Sequence, residues 1–180
     1  MRGRICVVAG LLVLAGCGGK AEIVMPEPGI SYTTPPAAAA GGACELLDYQ
    51  VIEQFTGTRF AVAAASSHQK TRSCVVHQET GGLPDLSLSV TAGSVDTATF
   101  RELVPSGAKT VKGLGKAGYR VSRAPEKGRG AAAEVAWLTD DGRVISLRYT
   151  LPKGQDKAVA DELAPKLVEL AEQIQTADKA

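Results

Sequence analysis

The sequence predicts an α+β fold, in which a mostly antiparallel sheet is packed by a short N-terminal helix and a long C-terminal helix. Residues 86–91 alternate strictly between apolar and polar side chains, which is typical of a strand with one buried face. An Asp-Gly pair at 141–142 separates two β-prone segments and predicts a hairpin. Over 159–174 the apolar residues recur every three or four positions, as in an amphipathic helix. Hairpins flanked by helices indicate one layer of sheet covered by helices.

The first helix is predicted over residues 49–56. Asp48 precedes it, where a carboxylate can accept the backbone N–H groups of the first turn. Gly57 follows it, where a left-handed backbone conformation commonly ends a helix. Apolar side chains recur at every fourth position, at Leu47, Val51 and Phe55.

Three strands are predicted after this helix. Residues 60–65 and 74–78 are apolar or β-branched runs, and the polar segment 66–73 between them predicts a turn. The alternating strand at 86–91 follows a turn at 81–85, which contains two glycines and a proline.

A second short helix is predicted over residues 98–104, with Ser94 or Asp96 as its N-cap. Residues 118–122 predict a further strand, and the charged segment 125–130 predicts a loop. We expect three apolar side chains of the helix to face the core, namely Phe100, Leu103 and Val104.

The predicted hairpin joins strands 134–138 and 144–151 through a turn at 139–142. Because alternate residues of a strand face opposite sides, the second strand has one apolar face. We expect that face to meet the core through Ile145, Leu147, Tyr149 and Leu151.

The final helix has an apolar stripe and an opposite charged face, so it is expected to close over the sheet. The stripe consists of Val159, Leu163, Leu167, Leu170 and Ile174. The charged face carries Asp161, Lys166, Glu169 and Glu172.

Charge and composition argue against nucleic-acid binding. The 180 residues suffice for one domain with a hydrophobic core, and the formal net charge is +1. Without Arg2 and Arg4 it becomes −1, with 18 basic against 19 acidic residues. A chain without a global basic field and with only 4% aromatic residues lacks the usual means of binding bases. We therefore expect no nucleic-acid partner.

The N-terminus has the three parts of a lipoprotein export signal. Arg2 and Arg4 are positively charged, and residues 5–14 form an uncharged apolar run. A helix of that run would span about 15 Å, half of a bilayer core, which favours an export signal over a membrane-spanning helix. Leu-Ala-Gly at 14–16 then precedes Cys17, as in the lipobox of bacterial lipoproteins. We predict cleavage before Cys17, a lipid anchor on its sulfur, and a location on the outer face of the cell membrane.

The chain therefore divides into three predicted parts. These are a signal peptide at 1–16, a lipidated cysteine with a tether at 17–43, and a single α+β domain at 44–180. Proline, alanine and glycine dominate the tether and disfavour helix and strand. The alternatives are a plain secretory signal with an incidental cysteine, and a partner-docking role for residues 23–25 or 30–32.

Two cysteines remain in the predicted domain, Cys44 and Cys74. An exported domain folds in an oxidising compartment, where an even pair of cysteines is most simply a disulfide. The alternative is a metal site in which His68 and His77 complete a Cys₂His₂ set. Alternation along a strand would place Cys74 and His77 on opposite faces, which favours the disulfide. We predict the disulfide, with no metal ligand and no cofactor.

No catalytic constellation is recognisable, so we predict that the protein is not an enzyme. The serines of the 66–73 segment lack the G-x-S-x-G frame of hydrolase nucleophiles. The glycines at 113–115 lack the lysine and the further glycine of a phosphate-binding loop. Asp140 and Asp141 are adjacent carboxylates, but a hairpin turn accounts for them.

One local stretch of the sequence is basic. It could face anionic lipid or wall polymer, but exposed edge strands also carry lysine simply to discourage aggregation. The second interpretation is the simpler one. The stretch comprises Lys109, Lys112, Lys116, Arg120 and Arg123.

Several short motifs occur together along the chain. They are Cys17 in its lipobox, the Pro/Ala/Gly-rich tether, Cys44-Glu45-Leu46-Leu47, Phe55-Thr56-Gly57, Cys74, Val111-Lys112-Gly113-Leu114-Gly115 and a leucine-rich final helix. In this combination the chain resembles a large family of actinobacterial envelope lipoproteins whose domain has no assigned function. The resemblance implies a cell-envelope lipoprotein with a disulfide-pinned α+β domain, and it implies no catalytic residue.

Two functions are consistent with these features. The first is a non-enzymatic binding or accessory module of the cell envelope, with the membrane and an envelope protein as its partners. The alternative is a carrier or sensor of a small apolar ligand held between the sheet and the C-terminal helix. Many alanines and glycines and few aromatic residues would leave room for such a ligand.

Overall fold

The computed structural model describes residues 34–179. Two 3-10 turns, Ala37–Ala40 and Gly42–Leu46, precede the regular elements. In chain order the elements are α1 (Tyr49–Thr56), β1 (Val62–His68), β2 (Thr71–His77), β3 (Asp85–Thr91), α2 (Thr97–Glu102), β4 (Lys109–Val111), β5 (Ala117–Arg123), β6 (Ala132–Leu138), β7 (Val144–Thr150) and α3 (Lys157–Lys179).

The strands form one antiparallel sheet in the order β1-β2-β3-β7-β6-β5-β4. β7 pairs with both β3 and β6, so the β6–β7 hairpin lies inside the sheet. β1 and β4 are its two edges. With a short helix before the sheet and a long helix after it, the structure confirms the predicted α+β fold.

α3 covers one face of the sheet, which we call the helix face, and contacts β5 and β6 there. The predicted apolar stripe is confirmed at Leu163, Leu167, Leu170 and Ile174, all of which are buried. It is wrong at Val159, which is 37% exposed. The buried face is centred further round the helix, because Ala160, Ala164 and Ala171 complete it.

α2 packs on the opposite face of the sheet. Phe100 lies against Tyr119 of β5, with ring centroids 5.9 Å apart. Asp96 is the N-cap, one of the two predicted candidates. The inward orientation predicted for Leu103 is wrong, since this residue follows the last helical turn and is 59% exposed. The buried cluster under α2 comprises Phe100, Tyr119, Val121, Ala136 and Leu138.

α1 has the predicted bounds and the predicted caps. The Asp48 carboxylate accepts hydrogen bonds from the backbone N–H groups of Gln50, at 2.7 Å, and Val51, at 3.1 Å. Gly57 ends the helix with a φ of 69°, a left-handed conformation that suits glycine. Local sequence was therefore sufficient to define this helix.

The connection between β1 and β2 is tighter than predicted. Residues 66–68 and 71–73 belong to the strands, so only Gln69 and Lys70 turn the chain. The serines and the threonine of residues 66–73 give this segment the composition of a turn. In the structure they form cross-strand pairs instead. The sequence also predicts no strand at β4, whose three residues are too few to show a periodic pattern.

The packed part of the chain begins before residue 44, the predicted start of the domain. Ala37 and Ala43, in the two 3-10 turns, are 1% and 2% exposed and belong to the main buried cluster. Residues 1–33 lie outside the described residues. The predicted signal peptide, Cys17 and most of the predicted tether fall within that segment.

Candidate interaction surface

A disulfide joins Cys44, in the second 3-10 turn, to Cys74 of β2, with the two Cα atoms 4.9 Å apart. Both cysteines are fully buried. The bond confirms the predicted pair and fastens the start of the domain to the β1–β2 side of the sheet. Because each sulfur is bonded to the other, the alternative Cys₂His₂ metal site is wrong. Within residues 34–179, no group of three or more His, Cys, Asp or Glu side chains is arranged to hold a metal ion.

The two histidines of that alternative lie apart from each other. His68 ends β1 and His77 ends β2, so they stand at opposite ends of this antiparallel pair. The Nδ1 atom of His77 is 3.2 Å from the carbonyl oxygen of Gly82. Neither histidine is part of the disulfide-linked core.

The face of the sheet opposite α3 is covered only in part by the described elements. α2 packs against β5, whereas the side chains of β1, β2, β3 and β7 on this side are exposed or half-buried along most of their length. We call this surface the open face. Its hydroxyl-bearing and charged members include Ser66, Thr71, Ser73, Ser87, Ser89, Thr91, Ser146 and Arg148.

A row of four serines crosses the open face. Ser66, Ser73, Ser89 and Ser146 are successive register partners on β1, β2, β3 and β7. The Oγ atoms of Ser73 and Ser89 are 3.0 Å apart, within hydrogen-bonding distance. Each hydroxyl can both donate and accept a hydrogen bond. The row therefore offers a flat polar surface to another molecule.

A buried carboxylate stands beside the open face. Glu134 of β6 accepts hydrogen bonds from the Tyr119 hydroxyl, at 3.0 Å, and from Nε of Arg123, at 3.1 Å. Burial of the phenol, and then the negative charge of Glu134, raise the pKa of Tyr119 to about 12. The hydrogen bond to Glu134 raises the pKa of Arg123. This cluster joins β5 to β6, and the half-buried Arg148 is the cross-strand neighbour of Glu134 on β7.

A second network fastens the end of α3 to the β6–β7 turn. The Arg143 guanidinium donates to both carboxylate oxygens of Asp178, at 2.9 and 2.8 Å, and to Asp141, at 2.6 Å. Asp141 also accepts a hydrogen bond from the Thr139 hydroxyl, and this bond, followed by those from Arg143, lowers the pKa of Asp141. Asp141 thus serves the hairpin turn, as the sequence predicts.

The basic stretch predicted from the sequence does not form one patch. Lys109 and Arg120 are register partners on β4 and β5. Arg123 is paired with the buried carboxylate of β6. Lys112 and Lys116 lie in the loop between β4 and β5. Alternation along the strands separates residues that are close in sequence.

The two edges of the sheet differ. β1 has seven residues, with no acidic, lysine, arginine or proline side chain, and six of the seven residues are exposed. β4 has three residues and begins with Lys109. Short length and lysine discourage pairing with a foreign strand, because an edge presents unpaired N–H and C=O groups. β1 is therefore the edge that is better suited to accept another strand.

The space between the sheet and α3 is filled by side chains. Trp137, Leu147 and Leu167 are fully buried in the cluster that spans this interface. The indole Nε1 of Trp137 is buried there without a hydrogen-bond partner among the described residues. A cavity of about 600 Å³ lies instead at the surface, beside Asp48 and Tyr49.

Sequence reasoning missed the open face, although one signal for it was present. Ser87, Ser89 and Ser146 occupy the polar positions of strands that the sequence does predict. Only the strand order, in which β7 lies beside β3, brings them onto one face, with Ser89 and Ser146 in one row. That order depends on contacts between distant parts of the chain.

No protein-family model matches the chain, and no curated protein or solved structure is significantly similar to it. Among residues 34–179, no helix is both long enough and apolar enough to cross a membrane.

Proposed function

We propose that the protein is a lipid-anchored lipoprotein of the cell envelope and acts there as a non-enzymatic binding or accessory module. The observation that carries this proposal is the N-terminal order of two arginines, an uncharged apolar run and Leu-Ala-Gly before Cys17. A diacylglycerol on Cys17 supplies two acyl chains, and two chains hold a protein on a membrane where one is only marginal.

The buried disulfide supports an extracytoplasmic location. Structural disulfides form and persist in oxidising compartments and are rare in the cytosol. The Cys44–Cys74 bond closes a sequence separation of 30 residues. Closing a loop of that length stabilises a domain by about 3–4 kcal/mol, a large share of a typical total of about 5–15 kcal/mol.

The open face and the β1 edge support binding to another protein. The serine row offers hydrogen-bond donors and acceptors, and Arg148 adds a half-buried cation beside it. The β1 edge can extend the sheet by one strand of a partner. We propose an envelope protein with a polar surface or an extended segment as that partner.

The lipid anchor is tested by replacing Cys17, the residue that would receive the lipid. In a detergent phase-partition experiment on cells of the native host, we expect the wild-type protein in the detergent phase and Cys17→Ser in the aqueous phase. Cys6→Ser is the matched control, because it removes a thiol from the predicted signal peptide and should leave partition unchanged. If Cys17→Ser stayed in the detergent phase, the proposed anchor would be wrong.

The binding surface is tested by site-specific photo-crosslinking in living cells. A crosslinker at Ser89 lies on the open face, and one at the exposed Lys166 lies on the outer side of α3. We expect the same envelope protein to be captured repeatedly from Ser89 and not from Lys166. Equal capture from both positions, or none above background, would contradict a binding role for the open face.

A further inference from the structure

A groove of about 310 Å³ lies between α2 and the loop that joins β4 to β5. The aromatic rings of Phe100 and Tyr119 contribute to its lining. Three cations from two separate segments also line it, namely Arg101, Lys112 and Lys116, and no carboxylate does. The whole chain carries a formal net charge of only +1, so this grouping reflects the fold and not the composition.

The three cations are available to an anion. Arg101, Lys112 and Lys116 are all exposed. Within the described part of the chain, none of them forms an ion pair with a carboxylate. Arg123 and Arg143, by contrast, are each held by carboxylates. Cations that the protein leaves unpaired attract anions from outside it.

Leu103 is an exposed apolar residue next in sequence to Val104, which lines the groove. It immediately follows α2 and is 59% exposed, more than Val62 at 45% or Val159 at 37%. Surfaces that bind a membrane interface combine exposed apolar side chains with basic ones. The apolar group enters the acyl boundary, while the cations meet the headgroup phosphates.

We propose that this groove docks on the anionic phospholipid headgroups of the membrane that carries the anchor. The inference rests on the proposed function, since the anchor brings the domain to that membrane. Each basic side chain near an anionic surface strengthens binding roughly fivefold. Three such side chains give only weak membrane affinity to a protein that is free in solution. A tether makes such docking effectively intramolecular, so weak contacts suffice.

A fluorescent probe tests this docking on the lipidated protein, purified from membranes of its host and reconstituted in vesicles. A probe on Leu103→Cys reports the groove, and a probe on His68→Cys reports the opposite edge of the sheet. The disulfide and the lipidated Cys17 leave no other thiol for the label. With a headgroup quencher in phosphatidylglycerol-containing vesicles, we expect about threefold stronger quenching at position 103 than at 68. In pure phosphatidylcholine the two positions should be quenched equally.

Charge variants show whether the groove itself is responsible. Lys112→Gln/Lys116→Gln should lower the docking equilibrium constant about 25-fold. Lys127→Gln/Arg129→Gln removes the same charge from exposed loop positions and should leave docking unchanged.

Four results would overturn the inference. They are equal quenching at both positions in anionic vesicles, equal docking on phosphatidylcholine, equal losses in the two double variants, and saturable binding of soluble polyphosphate without any dependence on phosphatidylglycerol. The last result would assign the groove to an anionic wall polymer. Protein that fails to stay with the vesicles at all would contradict the anchor itself, and this inference with it.

Discussion

β1 and β6 are strands of equal length with opposite environments. Each has seven residues, three of them alanine. Every residue of β6 is buried, whereas six of the seven in β1 are exposed. β6 pairs on both sides and lies under α3, while β1 pairs only with β2. Position in the sheet therefore decides how far each strand is buried. The half that contains β6 supplies most of the stability, and the half that contains β1 supplies accessible surface.

The largest effect is expected from a truncation in β6. Trp137→Ala should lower the free energy of unfolding by about 4 kcal/mol, because it empties a fully buried site under α3. Val62→Ala in β1 truncates an exposed side chain and should cost less than about 0.5 kcal/mol. Chemical denaturation measures both. Similar losses at the two sites would break the contrast between the strands.

The disulfide should matter next, because it fastens the half of the sheet that has less packing. Replacing both Cys44 and Cys74 by serine should lower the free energy of unfolding by about 3 kcal/mol. Hydrogen exchange should then accelerate more in β1 and β2 than in β6. Uniform acceleration across the sheet would mean that the bond stabilises both halves alike.

A glycine beside β6 should tolerate no side chain. Gly115 has a φ of +60°, and a Cβ atom there would clash with the carbonyl oxygen of Leu138. Gly115→Ala should therefore cost about 2 kcal/mol. Gly113 has a φ of +82° but open space around it, so Gly113→Ala should cost about 1 kcal/mol. Thermal unfolding of the two variants separates the steric contribution from the backbone contribution. Equal losses of stability in the two variants would exclude the clash.

A smaller effect concerns pH and the cluster that joins β5 to β6. The pKa of Tyr119 is raised from 10.0 to about 12 in the folded protein. The neutral phenol therefore stabilises the fold fully below about pH 10, and this stabilisation is lost as the pH rises toward 12. Between pH 9 and 11 the wild type should lose about 1 kcal/mol more than Tyr119→Phe. Parallel stability curves for the two proteins would contradict the raised pKa.

The elements that the sequence predicts well are those whose signals are local. α1 has its caps at Asp48 and Gly57, and the alternation at 86–91 corresponds to β3. Two other features depend on distant contacts. The serines at 66–67 resemble a turn until β2 is placed beside them, and the open face exists only because β7 lies beside β3.

The candidate sites also divide into features that the sequence predicts and features that depend on contacts between distant residues. The pairing of Cys44 with Cys74 was predictable, because these are the two cysteines of the predicted domain and two cysteines allow one intramolecular bond. The basic groove was not predictable, because Arg101 joins Lys112 and Lys116 only when α2 folds against β5. Arg101 is separated from Lys112 and Lys116 in the chain, yet all three line one groove.

The proposed lipid on Cys17 would set the compartment, the role of the predicted tether and the membrane on which the groove is proposed to dock. Mass spectrometry of the N-terminal tryptic peptide, from protein purified out of host membranes, tests it most directly. We predict a peptide that begins at Cys17, ends at Lys20 and carries the mass of a thioether-linked diacylglycerol. An unmodified Cys17, or a chain that still contains residues before it, would contradict the proposed lipoprotein.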